Sequence, residues 1–257
     1  MFDMRAEALK TAAILLPKQH IFLLSHMRSY SSLFGHIMGS NPAICGYYEM
    51  HIGYYSWKSL IRQKLLYFEN EAVKPGFSCM FDKVLHNEHS VSPKILNGRR
   101  IKTIFCLRRP QDTIPSILKL YQGIDPSHEF NSESFATDYY IQRLAALERI
   151  AAALEQDFFY LDAEAIRDNT EECLGNLSEW LQLGTPLSPT YELQMNTGKE
   201  RYGDTSERIR TGRIADDGTS EYTDFQHDAA LLDNAIRAHN RLRKLLIEKS
   251  AHHSVTA

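Results

Sequence analysis

Apolar residues in this chain alternate between short unbroken runs and longer stretches in which they recur every three or four positions. The runs IFLL from Ile21, IKTIFCL from Ile101 and DFFYL from Asp157 predict buried strands. Helical spacing follows the first run at Leu33, Phe34, Ile37 and Met38, and follows the second from Pro110 to about Tyr121. A longer amphipathic helix is expected from Ser132 to Leu154, carrying Tyr140, Leu144, Leu147 and Ile150. Asn169 with Glu171 and Glu172 behind it reads as a helix start, leading to Cys173, Leu174, Leu177, Trp180 and Leu181 before Gly184 and Pro186 stop it. A terminal helix is expected from Asp224 to Glu248, and residues 250–257 are expected to fray. Strands alternating with helices predict an α/β fold, a central parallel sheet flanked by helices. No linker divides the 257 residues, so one domain over 1–257 is expected.

Two of the strands run into polar clusters. After Leu24 the chain reads Ser25-His26-Met27-Arg28-Ser29-Tyr30-Ser31-Ser32 before helical spacing resumes. Such a strand-to-helix turn can hold an anion without metal: the unpaired N–H groups and positive dipole end of the helix face it, Arg28 adds a planar charged donor, and the serines add hydroxyls. An ordinary helix start needs only one capping residue. After Leu107 the chain reads Arg108-Arg109-Pro110-Gln111-Asp112-Thr113-Ile114-Pro115-Ser116. Pro110 and Asp112 suit a first helical turn, Arg108 falls at the strand's carboxyl end, and Ser116 lies about two turns into the helix. The carboxyl edge of a parallel sheet is where open α/β folds bind ligands.

This pair of elements resembles the nucleotide-binding elements of the sulfotransferases that use 3′-phosphoadenosine 5′-phosphosulfate (PAPS), in their soluble, bacterial-type branch. The family's first element is close to S-x-x-[RK]-S-G-[ST]-[ST], and Ser25 to Ser32 follow it with one departure, Tyr30 at the glycine position. A side chain there crowds the backbone's approach to a phosphate. The second element, R-x-P-x-D-x-x-x-S, is matched at every fixed position by Arg108, Pro110, Asp112 and Ser116. The resemblance implies a P-loop-like strand–loop–helix nucleotide site and in-line transfer of a sulfuryl group from PAPS to a hydroxyl or amine, leaving 3′,5′-bisphosphoadenosine (PAP). It implies that Ser25, Arg28, Ser29, Tyr30, Ser31 and Ser32 hold the 5′-phosphosulfate, with Arg28 stabilising charge on the reacting group. Arg108 and Ser116 are implied to hold the 3′-phosphate.

By the same resemblance, Asn41-Pro42-Ala43-Ile44 followed by Tyr47 to His51 is similar to the branch in which a proline-containing turn precedes a glutamate base. Glu49 is therefore the leading base candidate. Phe77 to His86 (FSCMFDKVLH) resembles the strand and turn that deliver a lysine and then a histidine in other branches, so Lys83 and His86 stand beside it. His51 is a further candidate to share base work. Residues 196–224 are polar and glycine-containing, and are expected to form a mobile loop over the nucleotide. Gly203-Asp204-Thr205-Ser206 with Arg208, Arg210, Gly212 and Arg213 resembles the family's closing element, and spacing does not choose among these arginines.

Charge and composition narrow the partners. The net charge is −3 and the basic residues gather in loops rather than along one face, which argues against nucleic-acid binding as the main activity. Cys45, Cys79, Cys106 and Cys173 are widely spaced in apolar surroundings and read as reduced core thiols; no metal-ligand motif is present, and no metal is expected. No apolar run approaches the roughly 20 residues that span a bilayer, so cytoplasmic residence is expected. Without G-x-x-x-x-G-K-[ST] the kinase-like alternative, nucleotide phosphoryl transfer, lacks its phosphate loop. A noncatalytic binder of a phosphorylated nucleotide is the alternative from another class. The acceptor stays open between small molecule, carbohydrate and lipid, and the oligomeric state is open too, a homodimer included.

Overall fold

The computed structural model describes residues 4–195, 197–198, 207–215 and 222–256. Six parallel strands form one sheet in the order β2-β3-β1-β4-β5-β6, where β1 is Gln19–Leu24, β2 Ile44–Cys45, β3 Cys79–Val84, β4 Ile101–Leu107, β5 Phe159–Asp162 and β6 His252–Ser254. The central strands are apolar throughout because both faces are covered. Phe22 and Leu24 of β1, with Phe105 and Leu107 of β4, pack on one side against α5 (Pro110–Ile124), α6 (Glu133–Ala152) and α9 (Ala229–Lys249). Their neighbours Ile21, Leu23, Ile104 and Cys106 pack on the other side against α2 (Ser31–Ser40) and α8 (Thr170–Trp180). This two-residue alternation between faces is the pleat itself.

The chain leaves β1 towards β3 on one side and returns to β4 on the other. The carboxyl ends of β1 and β4 are thus neighbours whose connections diverge, the crevice at which open α/β sheets bind ligands. Both polar clusters sit at this point.

Several elements escape the periodicity argument. Helices α1 (Met4–Leu15) and α3 (Trp57–Asn70) pack together over the β2–β3 edge. The inner residues of α3 include Gln63 and Lys64 beside Tyr67 and Phe68, so no apolar stripe announces the helix. Strand β2 is too short to show a period. Helix α9 begins at Ala229 rather than near Asp224, because the Asp228 carboxylate caps the N–H groups of Ala230 and Leu231 at 2.9 and 3.1 Å.

The tail is a correction. Residues 250–257, expected to fray, contain β6, which adds a parallel edge strand to β5. Its sequence HHS carries no apolar signal, and what holds it is polar. The Asp162 carboxylate accepts from Thr256 N at 3.0 Å and from Arg243 at 2.7 Å, and Asp157 accepts from Ala251 N at 3.0 Å.

Candidate active site

The loop from β1 to α2 turns through two left-handed residues, Arg28 at φ 62° and Tyr30 at φ 57°. Ser25 and Ser29 are fully buried and brace this turn. Ser25 Oγ lies 2.6 Å from Cys106 O and from Ser29 Oγ, and Ser29 Oγ donates to His26 O at 2.8 Å. Their hydroxyls thus shape the loop, while the first turn of α2, with Ser31 and Ser32, starts without a side-chain cap from Tyr30. At that end stands a buried cation, Lys83 of β3, whose Nζ is 3.5 Å from Ser32 Oγ. A lysine beside the positive end of a helix dipole makes a position where an anion is bound favourably.

The second cluster folds directly onto the first. Arg28 Nε donates to Ser116 Oγ at 2.9 Å, and Arg108 Nη1 donates to the Arg28 carbonyl at 2.9 Å. The Arg28 side chain, expected at the reacting end, therefore lies with Ser116, and Lys83 is the cation described at the start of α2. Arg108 is 5% exposed; its Nε is buried with no hydrogen-bond partner, and among the described residues no carboxylate lies within ion-pair distance of it. Its guanidinium stacks 4.2 Å from the centre of the Tyr30 ring. Arg167, in the short helix α7 (Ala165–Asp168), approaches the same ring at 5.5 Å and donates to the Tyr30 hydroxyl at 3.1 Å.

Buried polar groups weld the two loops to the sheet. His26 Nε2 accepts from Arg108 N at 3.1 Å, so its proton sits on Nδ1 and goes to Met27 O at 2.8 Å; burial pushes this neutral imidazole down to about 3. Tyr140 donates to Arg108 O at 2.7 Å, and Tyr139 accepts from Met27 N at 3.0 Å while donating to Leu85 O at 3.1 Å. Arg143 of α6, 1% exposed, spans both strand ends, with donors to Ser25 O at 2.7 Å, Val84 O at 2.6 Å, His86 O at 3.3 Å and Asn87 Oδ1 at 2.9 Å.

The base candidates gather at the carboxyl end of β3. Gly35 on α2 lets the Tyr47 carbonyl approach so closely that a Cβ there would collide with it, which seats the segment leading to Glu49. Glu49 Oε1 then accepts from Leu85 N at 3.2 Å. His86 is its electrostatic neighbour. Burial lowers the His86 imidazole below its usual range, and the carboxylates of Glu49 and Glu88 oppose that shift. His51 is exposed, at φ 51°, its ring 5.7 Å from that of His89. Beneath them Asp82 accepts from Met50 N at 3.0 Å and from the Tyr54 hydroxyl, anchoring the stretch after Glu49.

The remaining arginines lie on a different segment. Arg208 and Arg210 belong to the short 3-10 turn Glu207–Thr211, and Arg213 pairs with Thr190. Tyr191 receives this segment, donating towards Ile209 O and Arg213 O at 3.2 and 3.3 Å, and the Arg210 guanidinium lies against Gly198. Gly203-Asp204-Thr205-Ser206 and much of the expected loop 196–224 lie outside the described residues.

No protein-family model matches the chain, and no curated protein matches it in sequence. Solved structures do match it in shape. The sulfotransferase domain of the curacin biosynthetic pathway superposes with a TM-score of 0.61 over 89% of this chain and 98% of its own, at 15% identity. The sulfotransferase domain of the Synechococcus olefin synthase gives 0.62 over 88% and 95%, at 14% identity. The chain has the sulfotransferase fold. Within this sulfotransferase fold both sequence motifs occupy the β1/β4 crevice, and Glu49, Lys83 and His86 border it at the end of β3.

Sequence reasoning missed the residues that hold these groups in place. His26 was a variable position of the first motif, and Arg167 sat beyond the strand of its βα unit. Arg143 did leave a signal: it stands three residues after Tyr140 on the apolar stripe of α6, where a charge is out of place unless it is satisfied internally.

Proposed function

We propose that the chain is a PAPS-dependent sulfotransferase acting on a hydroxyl or amine. The observation that carries this reading is the convergence of Lys83 on the start of α2, beside an arginine cluster in which Arg108 Nε is buried and unpartnered. One anion position between Lys83 and α2 and a second beside Arg28, Arg108 and Ser116 suit a nucleotide phosphorylated at both ends. A buried guanidinium nitrogen without a partner costs roughly 1–3 kcal/mol, which a phosphate oxygen would recover.

In this reading the α2 N–H groups, Ser31, Ser32 and Lys83 hold the 5′-phosphosulfate. The acceptor oxygen attacks sulfur in line with the bond to the 5′-phosphate. As that bond breaks, its electron pair stays on the departing phosphate, and Lys83 stabilises the charge gathering there. The acceptor proton passes to Glu49, with His86, neutral through burial, as the alternative base. Arg28, Arg108 and Ser116 fix the 3′-phosphate and so the position of the donor. The arginines of 207–213 are the candidates for closing over it.

The test is incubation of the purified protein with sulfur-labelled PAPS and a panel of phenols, sugars, lipid alcohols and amines. Label appearing on an acceptor with stoichiometric PAP supports the reading. Tight PAP binding with no transfer across the panel would make the chain a nucleotide-binding protein, and weak binding of PAP itself would remove the nucleotide assignment.

A further inference from the structure

The Tyr30 side chain is the one departure from the first motif, and the structure shows what it touches. A left-handed backbone at φ 57° is the conformation glycine adopts freely and tyrosine adopts at a cost, so the side chain is retained against local preference. Its ring meets Arg108 at 4.2 Å and Arg167 at 5.5 Å, and its hydroxyl accepts from Arg167 Nη1 at 3.1 Å. Arg108 has little else to orient its guanidinium: one donor goes to the Arg28 carbonyl, and Nε has no partner. A planar cation on a long stem aims well only when a surface fixes its plane. Here the ring is that surface, and Arg167 fixes the ring.

We propose that Tyr30 is a positioning residue for recognition of the 3′-phosphate, its ring holding the Arg108 guanidinium beside Arg28 and Ser116 with Arg167 locking the phenol. The proposal rests on the reading that Arg108 binds the 3′-phosphate of PAP. It makes the tyrosine a determinant of specificity: preference for 3′-phosphorylated nucleotides passes through an aromatic stack that a glycine cannot supply. Backbone groups of the same loop bind the 5′ end whether or not the ring is there.

Calorimetric titration with PAP and with adenosine 5′-phosphate tests this, because the ratio of their affinities isolates the 3′-phosphate. Glycine fits the φ of this position, so Tyr30→Gly removes the ring without straining the turn. It should cut the ratio by about 5- to 10-fold, the scale of a partly buried cation–π contact. Tyr30→Phe keeps the ring and should stay within about threefold of the wild type. In an Arg108→Ala background, Tyr30→Gly should have no further effect on the ratio, since its action runs through Arg108. An unchanged ratio in Tyr30→Gly, or an equal drop with and without Arg108, overturns the proposal while leaving the nucleotide reading intact. A wild type that binds both nucleotides equally overturns both.

Discussion

Lys83 and Arg28 are both cations at the crevice, yet the structure gives them different neighbours. Lys83 Nζ stands by Ser32 at the start of α2, and Arg28 Nε is bonded to Ser116. In the proposed transfer, charge would develop at the first position and stay constant at the second. Lys83→Met should therefore lower kcat by about 10²- to 10³-fold, the scale for one preorganised donor, with donor affinity changed far less. Arg28→Met should chiefly weaken PAP binding, by roughly 10- to 150-fold for a lost charge-assisted contact of about 1.5–3 kcal/mol. Single-turnover kinetics with titration of PAP separates the two, and the reverse pattern would put Arg28 at the reacting end. The base is tested in the same way. Glu49→Gln should lose about 10²- to 10⁴-fold in kcat with PAP affinity retained, and His86→Asn much less. A pH profile alone does not decide between them, because burial lowers the His86 imidazole below its usual range. A live Glu49→Gln beside a dead His86→Asn would make the imidazole the base.

Element by element, α6 does the most for the site without entering it. Arg143 gives the carbonyls of Ser25, Val84 and His86 their donors just where the loops leave the sheet. Burial lowers its guanidinium to about 10, which still leaves it charged at neutral pH. Arg143→Met keeps much of the volume but strands several buried acceptors, each worth roughly 1–3 kcal/mol when unpaired. Urea denaturation should show a loss of about 3 kcal/mol or more. PAP affinity should fall with it, although Arg143 lies beneath the loops. A stable variant with normal affinity would mean that the loops hold their shape without α6.

Across the whole molecule, pH should act through Asp82. Burial pushes its carboxyl up to about 8, while the bonds from Tyr54 and Met50 oppose the shift and Glu49 adds to it. The folded state thus holds the Asp82 proton more tightly than the unfolded chain, whose aspartates titrate near 4. The stability this adds is complete below that value and is lost as pH rises through 8. Asp82→Asn keeps the shape and cannot ionise, so its stability relative to wild type should improve between pH 5 and 8, by up to about 1.4 kcal/mol per pH unit. Denaturation midpoints measured across that range test it; parallel curves would show Asp82 already ionised in the folded protein.

Strong local patterns were legible from the residues alone. The runs at Ile21 and Ile101 are apolar because both faces of β1 and β4 are covered, and each ends in a cluster of arginine and hydroxyl groups. Strand, turn and helix start are therefore written in contiguous residues, and with them the α/β class and the pair of loops. Elements held by polar bonds to distant partners leave no such trace. The β6 strand depends on Asp157, Asp162 and Arg243, and α3 buries Gln63 and Lys64. The same limit applies at the site. Motif spacing places Arg108 just before one helix and Ser116 about two turns into it, whereas Arg28 bonding Ser116, Lys83 reaching Ser32 and Glu49 capping Leu85 N join residues 36 to 88 positions apart. Such contacts follow from strand order and loop backbone angles, which only the packed sheet decides.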